Sequence, residues 1–117
     1  MIDIIRIDSG TRMSQAVVHG GLVSTAGQVA HTTRGDTVRA QATEILQTLE
    51  ELLAKAGTDK SRLLTAQIWL SDIEDFAEFN AVWDVWVAKD AAPTRVCVES
   101  KLVVPALKVE VAVTAAV

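Results

Sequence analysis

Apolar residues recur along the chain with two different periods, and the first long helical period lies in the first half of the chain. It runs through residues 37–56, with Asp36 as the expected N-cap and Gly57 as the expected C-terminal stop. Its apolar positions lie three or four residues apart: Val38, Ala42, Ile45, Leu46, Leu49, Leu52, Leu53 and Ala56. This spacing predicts one amphipathic helix whose apolar side faces a core.

A second helical period follows a start signal. Ser71 and Glu74 have the three-residue spacing of a capping box, which predicts a helix N-terminus. The apolar positions that follow lie at helical intervals: Phe76, Phe79, Val82, Trp83 and Trp86. Pro93 lies beyond the expected end of the helix. Trp83 and Trp86 are expected to pack between helix and sheet.

The remaining apolar runs are short and rich in β-branched residues, which favours strands. We predict a first strand at residues 2–7 and a hairpin formed by residues 15–18 and Leu22–Thr25 around a His-Gly-Gly turn. A buried strand is predicted at Leu63–Leu70. Strands and two helices in this order predict an α+β sandwich, with both helices on one face of a mixed sheet.

Residues 93–113, PTRVCVESKLVVPALKVEVAV, contain the last two predicted strands. The alternation predicts that the valines of both strands face the helices: Val96, Val98, Val109, Val111 and Val113. Arg95 and Glu110 would then lie together on the opposite face.

Composition limits the class of protein. The 117 residues show no break in composition, so a single domain spanning residues 1–117 is expected. Half of the residues are apolar and the mean hydropathy is +0.27. One small core cannot easily bury so much apolar surface, so we expect a subunit interface.

No apolar run is long enough to cross a bilayer, and no signal peptide is recognisable, so a soluble cytoplasmic protein is expected. The single cysteine, Cys97, suits a reduced compartment, and no metal-ligand spacing occurs. The net charge of −4 and the absence of a basic cluster argue against a nucleic-acid partner.

Arg95 and Glu110 are the candidate functional pair. A guanidinium in a partly desolvated cleft binds a planar carboxylate through two parallel N–H groups. A neighbouring carboxylate can hold a water and move protons. The same residues would also fit a solvated ion pair worth at most about 1 kcal/mol, and the pattern alone does not choose between these interpretations.

Four segments favour the functional interpretation of this pair over the solvated ion pair. VSTAGQV (23–29), IWLSDIEDFAEFNAVWDVWV (68–87), APTRVCVESKLVVP (92–105) and KVEVAVTA (108–115) resemble, in matching order, the RidA/YjgF/UK114 family of enamine/imine deaminases. The resemblance implies a chorismate-mutase-like α+β fold that assembles as a homotrimer with clefts between subunits. It also implies hydrolysis of reactive enamines and imines to 2-keto acids and ammonia, without a metal or organic cofactor.

By position, the resemblance implies that Arg95 binds the substrate carboxylate with help from the backbone N–H of Cys97. It implies that the Gly27 carbonyl faces the substrate and that Glu110 orients the attacking water. The deaminase branch of this family usually has a tyrosine that lines the pocket just before the hairpin. This chain contains no tyrosine, and Met13 stands at that position. Each role suits its residue, since glycine permits close approach and a backbone N–H stabilises an anion.

Two alternative functions stay open. The arginine cleft could hold 2-keto acids without turnover, which would make the protein a sensor or a partner of other enzymes. A ribonuclease activity is also attributed to some members of this family, although the acidic balance argues against it.

A nucleophilic role for Cys97 has little support without a nearby histidine. His31 could face the cleft or occupy a surface loop, and Asn80 is expected to be structural.

Overall fold

The computed structural model describes residues 3–117 and contains a mixed sheet with two helices on one face. The strands are β1 (Ile5–Ser9), β2 (Ser14–His19), β3 (Leu22–Thr25), β4 (Gln28–Val29), β5 (Leu63–Leu70), β6 (Thr94–Glu99) and β7 (Val109–Ala116). The helices are α1 (Val38–Lys55) and α2 (Phe76–Trp86), and short 3₁₀ turns lie at Lys60–Arg62 and Ile73–Asp75. The predicted α+β class with two helices is therefore confirmed.

The sheet order is β1-β2-β3-β7-β5-β6, with β4 paired to β7. Only β5 and β6 run parallel; the other paired strands are antiparallel. The parallel pair needs a crossover, and α2 supplies it. As a result β6 is an edge strand, separated from β7 by β5.

The predicted hairpin is confirmed. His19 of β2 pairs with Leu22 of β3, and the two glycines between them have φ values of 61° and 81°. Positive φ at both central positions is what a two-residue hairpin turn of this kind requires. The predicted first strand begins later than expected, at Ile5, and Ile2 lies outside the described residues.

Helix α1 begins one residue later than predicted. Thr37, not Asp36, is its N-cap: the Thr37 hydroxyl accepts a hydrogen bond of 3.1 Å from the Ala40 N–H. The Asp36 carboxylate instead accepts the Thr37 N–H at 2.7 Å. Gly57 ends the helix as predicted, with φ 83°, and the Thr58 N–H reaches back to the Leu53 carbonyl.

The predicted capping box before α2 is wrong. Asp72 caps the 3₁₀ turn by accepting the Glu74 N–H at 2.9 Å, whereas the Ser71 N–H bonds to the Lys108 carbonyl. The helix itself is confirmed, with Phe79 and Trp83 buried. Ser71 is drawn into the sheet end, so the cap passes to the next residue with an acceptor side chain.

A single hydrophobic core fills the space between helices and sheet. The valines of β7 face this core as predicted, and so do Ile68 and Leu70 of β5. Strand β4 was not predicted, because two residues are too few to show a period. It brings the polypeptide just after β3 alongside β7, with Val29 paired to Glu110.

Candidate functional site

Arg95 lies on the helix face of the edge strand β6. It pairs with Ala66 of β5, which is buried in the core. Its Cζ atom lies 5.7 Å from the ring centroid of Phe76, 6.0 Å from that of Phe79 and 5.5 Å from that of Trp83. The guanidinium therefore rests on three aromatic rings of α2, and no carboxylate within residues 3–117 forms a salt bridge with it.

The predicted orientation of β6 is wrong for this reason. Val96 and Val98, expected to face the helices, are 54% and 43% exposed on the other face. Both alternating sets of positions in β6 are largely apolar, so the alternation left the choice to tertiary packing. The aliphatic stem of an arginine can cover apolar surface while its charged end stays accessible.

Glu110 lies on the opposite face of the sheet, the face without helices. Its neighbours there are Trp69 of β5 and Val29 of β4, which pair with it in register. Burial raises the pKa of the Glu110 carboxyl above its usual range. The Glu110 carboxylate accepts no hydrogen bond from a donor within residues 3–117. It can therefore hold a water or a ligand.

Arg95 and Glu110 therefore do not share a face, contrary to the prediction. Two strand spacings also separate β6 from β7, which amounts to about 10 Å across the sheet. Within one chain the guanidinium and the carboxylate cannot contact the same small molecule.

Gly27 and Glu110 are brought together. Gly27 lies in the turn between β3 and β4, and a Cβ atom added to it would overlap the Glu110 carboxylate. The turn is held by Gln28, whose amide donates to the Gln15 side chain at 2.9 Å and to the Ala26 carbonyl at 3.1 Å. Only glycine allows the backbone to approach this carboxylate so closely.

Cys97 lies two residues after Arg95 on the same face of β6 and pairs with the buried Ile68. Burial raises the pKa of the Cys97 thiol, and the positive charge of Arg95 partly opposes that effect. A thiol with a raised pKa is a poor nucleophile. The side chain thus fits a packing role, which leaves the backbone N–H as the group of interest.

Met13 lies in the turn between β1 and β2 and is 47% exposed. Strand β2 is four positions from β6 in the sheet, or about 19 Å. Met13 is therefore remote from Arg95 of the same chain.

A loop organised by Glu44 was missed by sequence reasoning. The Glu44 carboxylate accepts hydrogen bonds from the Thr33 hydroxyl and from the backbone N–H groups of His31, Thr32 and Thr33, at 2.7–3.2 Å. Burial by itself raises the pKa of Glu44, but these bonds outweigh it and lower the pKa to about 2. His31 lies in this loop and is exposed, as its surface-loop interpretation predicts. A carboxylate nearly two turns into a helical pattern gave no signal of this role.

The candidate residues lie outside four of the clefts on the surface of residues 3–117. These four have volumes of about 100 to 450 Å³, and none of them is lined by Arg95, Gly27 or Glu110. Within residues 3–117 no group of three or more histidine, cysteine or acidic side chains is placed to hold a metal ion. The described helices are also too short or too polar to span a bilayer.

The fold and the site place this chain among α+β proteins that leave one face of the sheet uncovered and carry an arginine on an edge strand of that sheet. The Endoribonuclease L-PSP family model matches residues 4–117. A RutC family protein of Haemophilus influenzae is 42% identical over 112 residues, covering 96% of this chain and 97% of the relative. RutC family protein YoaB of Escherichia coli is 38% identical over 114 residues, covering 97% and 98%.

Solved structures of similar proteins have the same fold. NMB1025 of Neisseria meningitidis, a member of the YjgF protein family, superposes with a TM-score of 0.88 at 38% identity, covering 97% of this chain and 94% of that one. Rv2704 of Mycobacterium tuberculosis, of the YjgF/YER057c/UK114 family, gives 0.88 at 26% identity, covering 98% and 100%. This chain belongs to that family, which is also known as RidA or Endoribonuclease L-PSP.

Proposed function

We propose that this protein hydrolyses 2-imino acids and their enamine tautomers to 2-keto acids and ammonia, at sites shared between copies of a homotrimer. In each site Arg95 of one copy binds the substrate carboxylate, while Gly27 and Glu110 come from a neighbouring copy. The observation that carries this proposal concerns two side chains that lie apart within residues 3–117: the Arg95 guanidinium, which forms no salt bridge there, and the half-buried Glu110 carboxylate, which accepts no hydrogen bond there.

The uncovered sheet face supports assembly. Val96 and Val98 are exposed on it, and Trp69 lies between Val98 and Glu110 in the strand register. Exposed apolar side chains on a sheet face without helices favour burial against another subunit. Arg95 lies on the other face of β6, but β6 is the edge strand, so a second copy that docks on the uncovered face and extends past this edge would reach the arginine.

The chemistry requires few groups. Arg95 fixes the carboxylate of the substrate, and the backbone N–H of Cys97 adds a donor to the same anion. As the oxygen of a water attacks the imine carbon, Glu110 takes a proton from that water and passes it to the imine nitrogen, which gives a carbinolamine. Glu110 then takes the hydroxyl proton of the carbinolamine and transfers it to the nitrogen, so that the C–N bond breaks and ammonia and the ketone are released.

The raised pKa of Glu110 suits this role, because a base whose pKa lies closer to neutrality transfers protons in both directions more readily. In this proposal the carbonyl of Gly27, a residue packed against the Glu110 side chain, accepts a hydrogen bond from the imine N–H. Such orientation supplies much of the barrier reduction in a reaction that needs only a positioned water.

The activity test generates imines in situ with an amino-acid oxidase and traps the unhydrolysed fraction with semicarbazide. Wild type should lower the yield of the trapped product, and Arg95→Ala should not. Arg39→Ala is the matched control, because Arg39 forms an exposed salt bridge on α1 and should keep full activity. Full activity of Arg95→Ala would show that the site assignment is wrong.

The shared site is tested by complementation. Arg95→Ala and Glu110→Ala, each inactive alone, are co-expressed. Random association in a ring of three pairs the intact Arg95 with an intact Glu110 at one interface in four, so about a quarter of wild-type activity should return. Light scattering should give three times the chain mass of 12.6 kDa. A monomer, or no recovery in mixed trimers, would overturn the shared site.

The same variants separate an enzyme from a sensor. If Glu110→Ala loses hydrolysis but still binds 2-oxobutanoate, the enzyme is supported. If wild type binds 2-oxobutanoate and never accelerates imine decay, the protein is a binding module.

A further inference from the structure

Three rings of α2 surround the guanidinium of Arg95. Phe76, Phe79 and Trp83 follow one another at helical intervals and therefore project from one face of α2. Phe79 and Trp83 stack with centroids 6.1 Å apart and an interplanar angle of 29°. All three centroids lie within 6.0 Å of the Arg95 Cζ atom.

We propose that Phe76, Phe79 and Trp83 form an aromatic cradle that fixes the orientation of the Arg95 guanidinium for carboxylate binding. This inference rests on the proposed function, in which Arg95 binds the substrate acid. The three are positioning residues, since they act on the substrate through Arg95.

Charge and hydrogen bonding together explain why a cradle is needed. A buried or half-buried guanidinium is normally fixed by a carboxylate, but a carboxylate on Arg95 would compete with the substrate. Aromatic faces attract a guanidinium without consuming its N–H donors, because they act on the face of the cation. The in-plane N–H groups stay free to form two parallel bonds to a planar acid.

The three rings contribute differently. Phe79 is fully buried and Trp83 is 5% exposed, so both belong to the core as well as to the cradle. Phe76 is 41% exposed, at the start of α2. Its removal should therefore perturb the arginine without disturbing the fold, which makes it the informative position.

The cradle is tested first without ligand, by the NMR signal of the Arg95 side-chain Nε–H, assigned through its loss in Arg95→Lys. Protons held over aromatic faces resonate upfield, so this signal should lie upfield of those of the other arginines. Phe76→Leu should move it towards them, whereas Phe76→Trp should not. Val85→Ala is the control, because Val85 is 88% exposed on the same helix.

Ligand binding gives the second measurement. With 2-oxobutanoate as the probe, Phe76→Leu should raise Kd about fivefold, the size of a partly exposed cation–π contact. In imine hydrolysis the same change should raise KM and leave kcat nearly unaltered. Phe76→Trp should restore both values, and Val85→Ala should match wild type.

An Arg95 signal at the position of a solvated arginine would overturn the cradle even if 2-oxobutanoate binds. An upfield signal with an unchanged Kd in Phe76→Leu would overturn the positioning role. Failure of wild type to bind 2-oxobutanoate would instead count against the proposed function, and the two failures are thereby distinguished.

Discussion

Replacing Gly27 by alanine tests the close approach of the β3–β4 turn to Glu110. The added Cβ would overlap Glu110 Oε2 and lie 2.9 Å from Cδ and 3.1 Å from Cγ. Gly27 is not among the glycines with positive φ, so alanine meets no backbone penalty there. The whole effect should therefore come from displacement of the Glu110 side chain.

The cost to stability should be small and the cost to activity large. Inserting a methyl group into a packed site typically costs 1–3 kcal/mol, and the half-exposed end of Glu110 can swing away, so we expect about 1 kcal/mol. Relief of the overlap requires the carboxylate to move by about 1 Å or more. A misplacement of that size reduces kcat/KM by roughly 100-fold.

A double-mutant cycle isolates this contact. Free energies of unfolding from urea titrations are compared for wild type, Gly27→Ala, Glu110→Ala and the double variant. The cost of Gly27→Ala should disappear in the Glu110→Ala background, which gives a coupling of about 1 kcal/mol. The same cost in both backgrounds, or an active Gly27→Ala protein, would show that the position of the Glu110 carboxylate does not depend on this contact.

Three further outcomes are expected. Glu110→Gln should raise Tm by a few degrees at pH 7 and abolish activity, because the raised pKa of Glu110 means that its ionisation opposes folding. The gain in Tm should shrink below pH 4, where the native carboxyl is protonated, and a lower Tm at pH 7 would contradict this expectation. Glu44→Gln should cost about 1–2 kcal/mol at pH 7, a partly solvent-screened value. Since the pKa of Glu44 is lowered to about 2, this contribution should be lost as pH falls from about 4.5 to 2, and urea titrations at both ends of the range check it. RNA should not bind in anisotropy titrations at low ionic strength, given the net charge of −4; steeply salt-dependent affinity would revive a ribonuclease.

Helix ends show how far local signals reach. The helical period located α1 and α2 correctly, but the expected caps were wrong: Thr37 caps α1 in place of Asp36, and the side-chain cap expected from Ser71 comes from Asp72, at the 3₁₀ turn before α2. Asp, Ser and Thr are all good caps, so the residue that takes the role depends on where the chain turns into the helix. That turn is set by contacts with distant segments, such as the bond from the Ser71 N–H to the Lys108 carbonyl.

The candidate residues were named from a resemblance to a family, and their spatial relations were not predictable from pattern. Gly27 and Glu110 meet because β4 pairs with β7, a contact between segments some 80 residues apart in sequence. The aromatic contacts of Arg95 likewise depend on the path of α2 over the sheet.

The periodic elements, the hairpin and the apolar surplus could be predicted before any coordinates were known, because they depend on the spacing and number of residue types along the chain. The face of the sheet that each candidate residue occupies could not, because it depends on how the strands pair and pack. Strand β6 has valines on one face and an arginine with a half-buried cysteine on the other, so its alternation is consistent with either orientation. The register of its pairing with β5 selects the orientation in which Arg95 lies on the rings of α2, whereas Glu110 lies on the other face of the sheet.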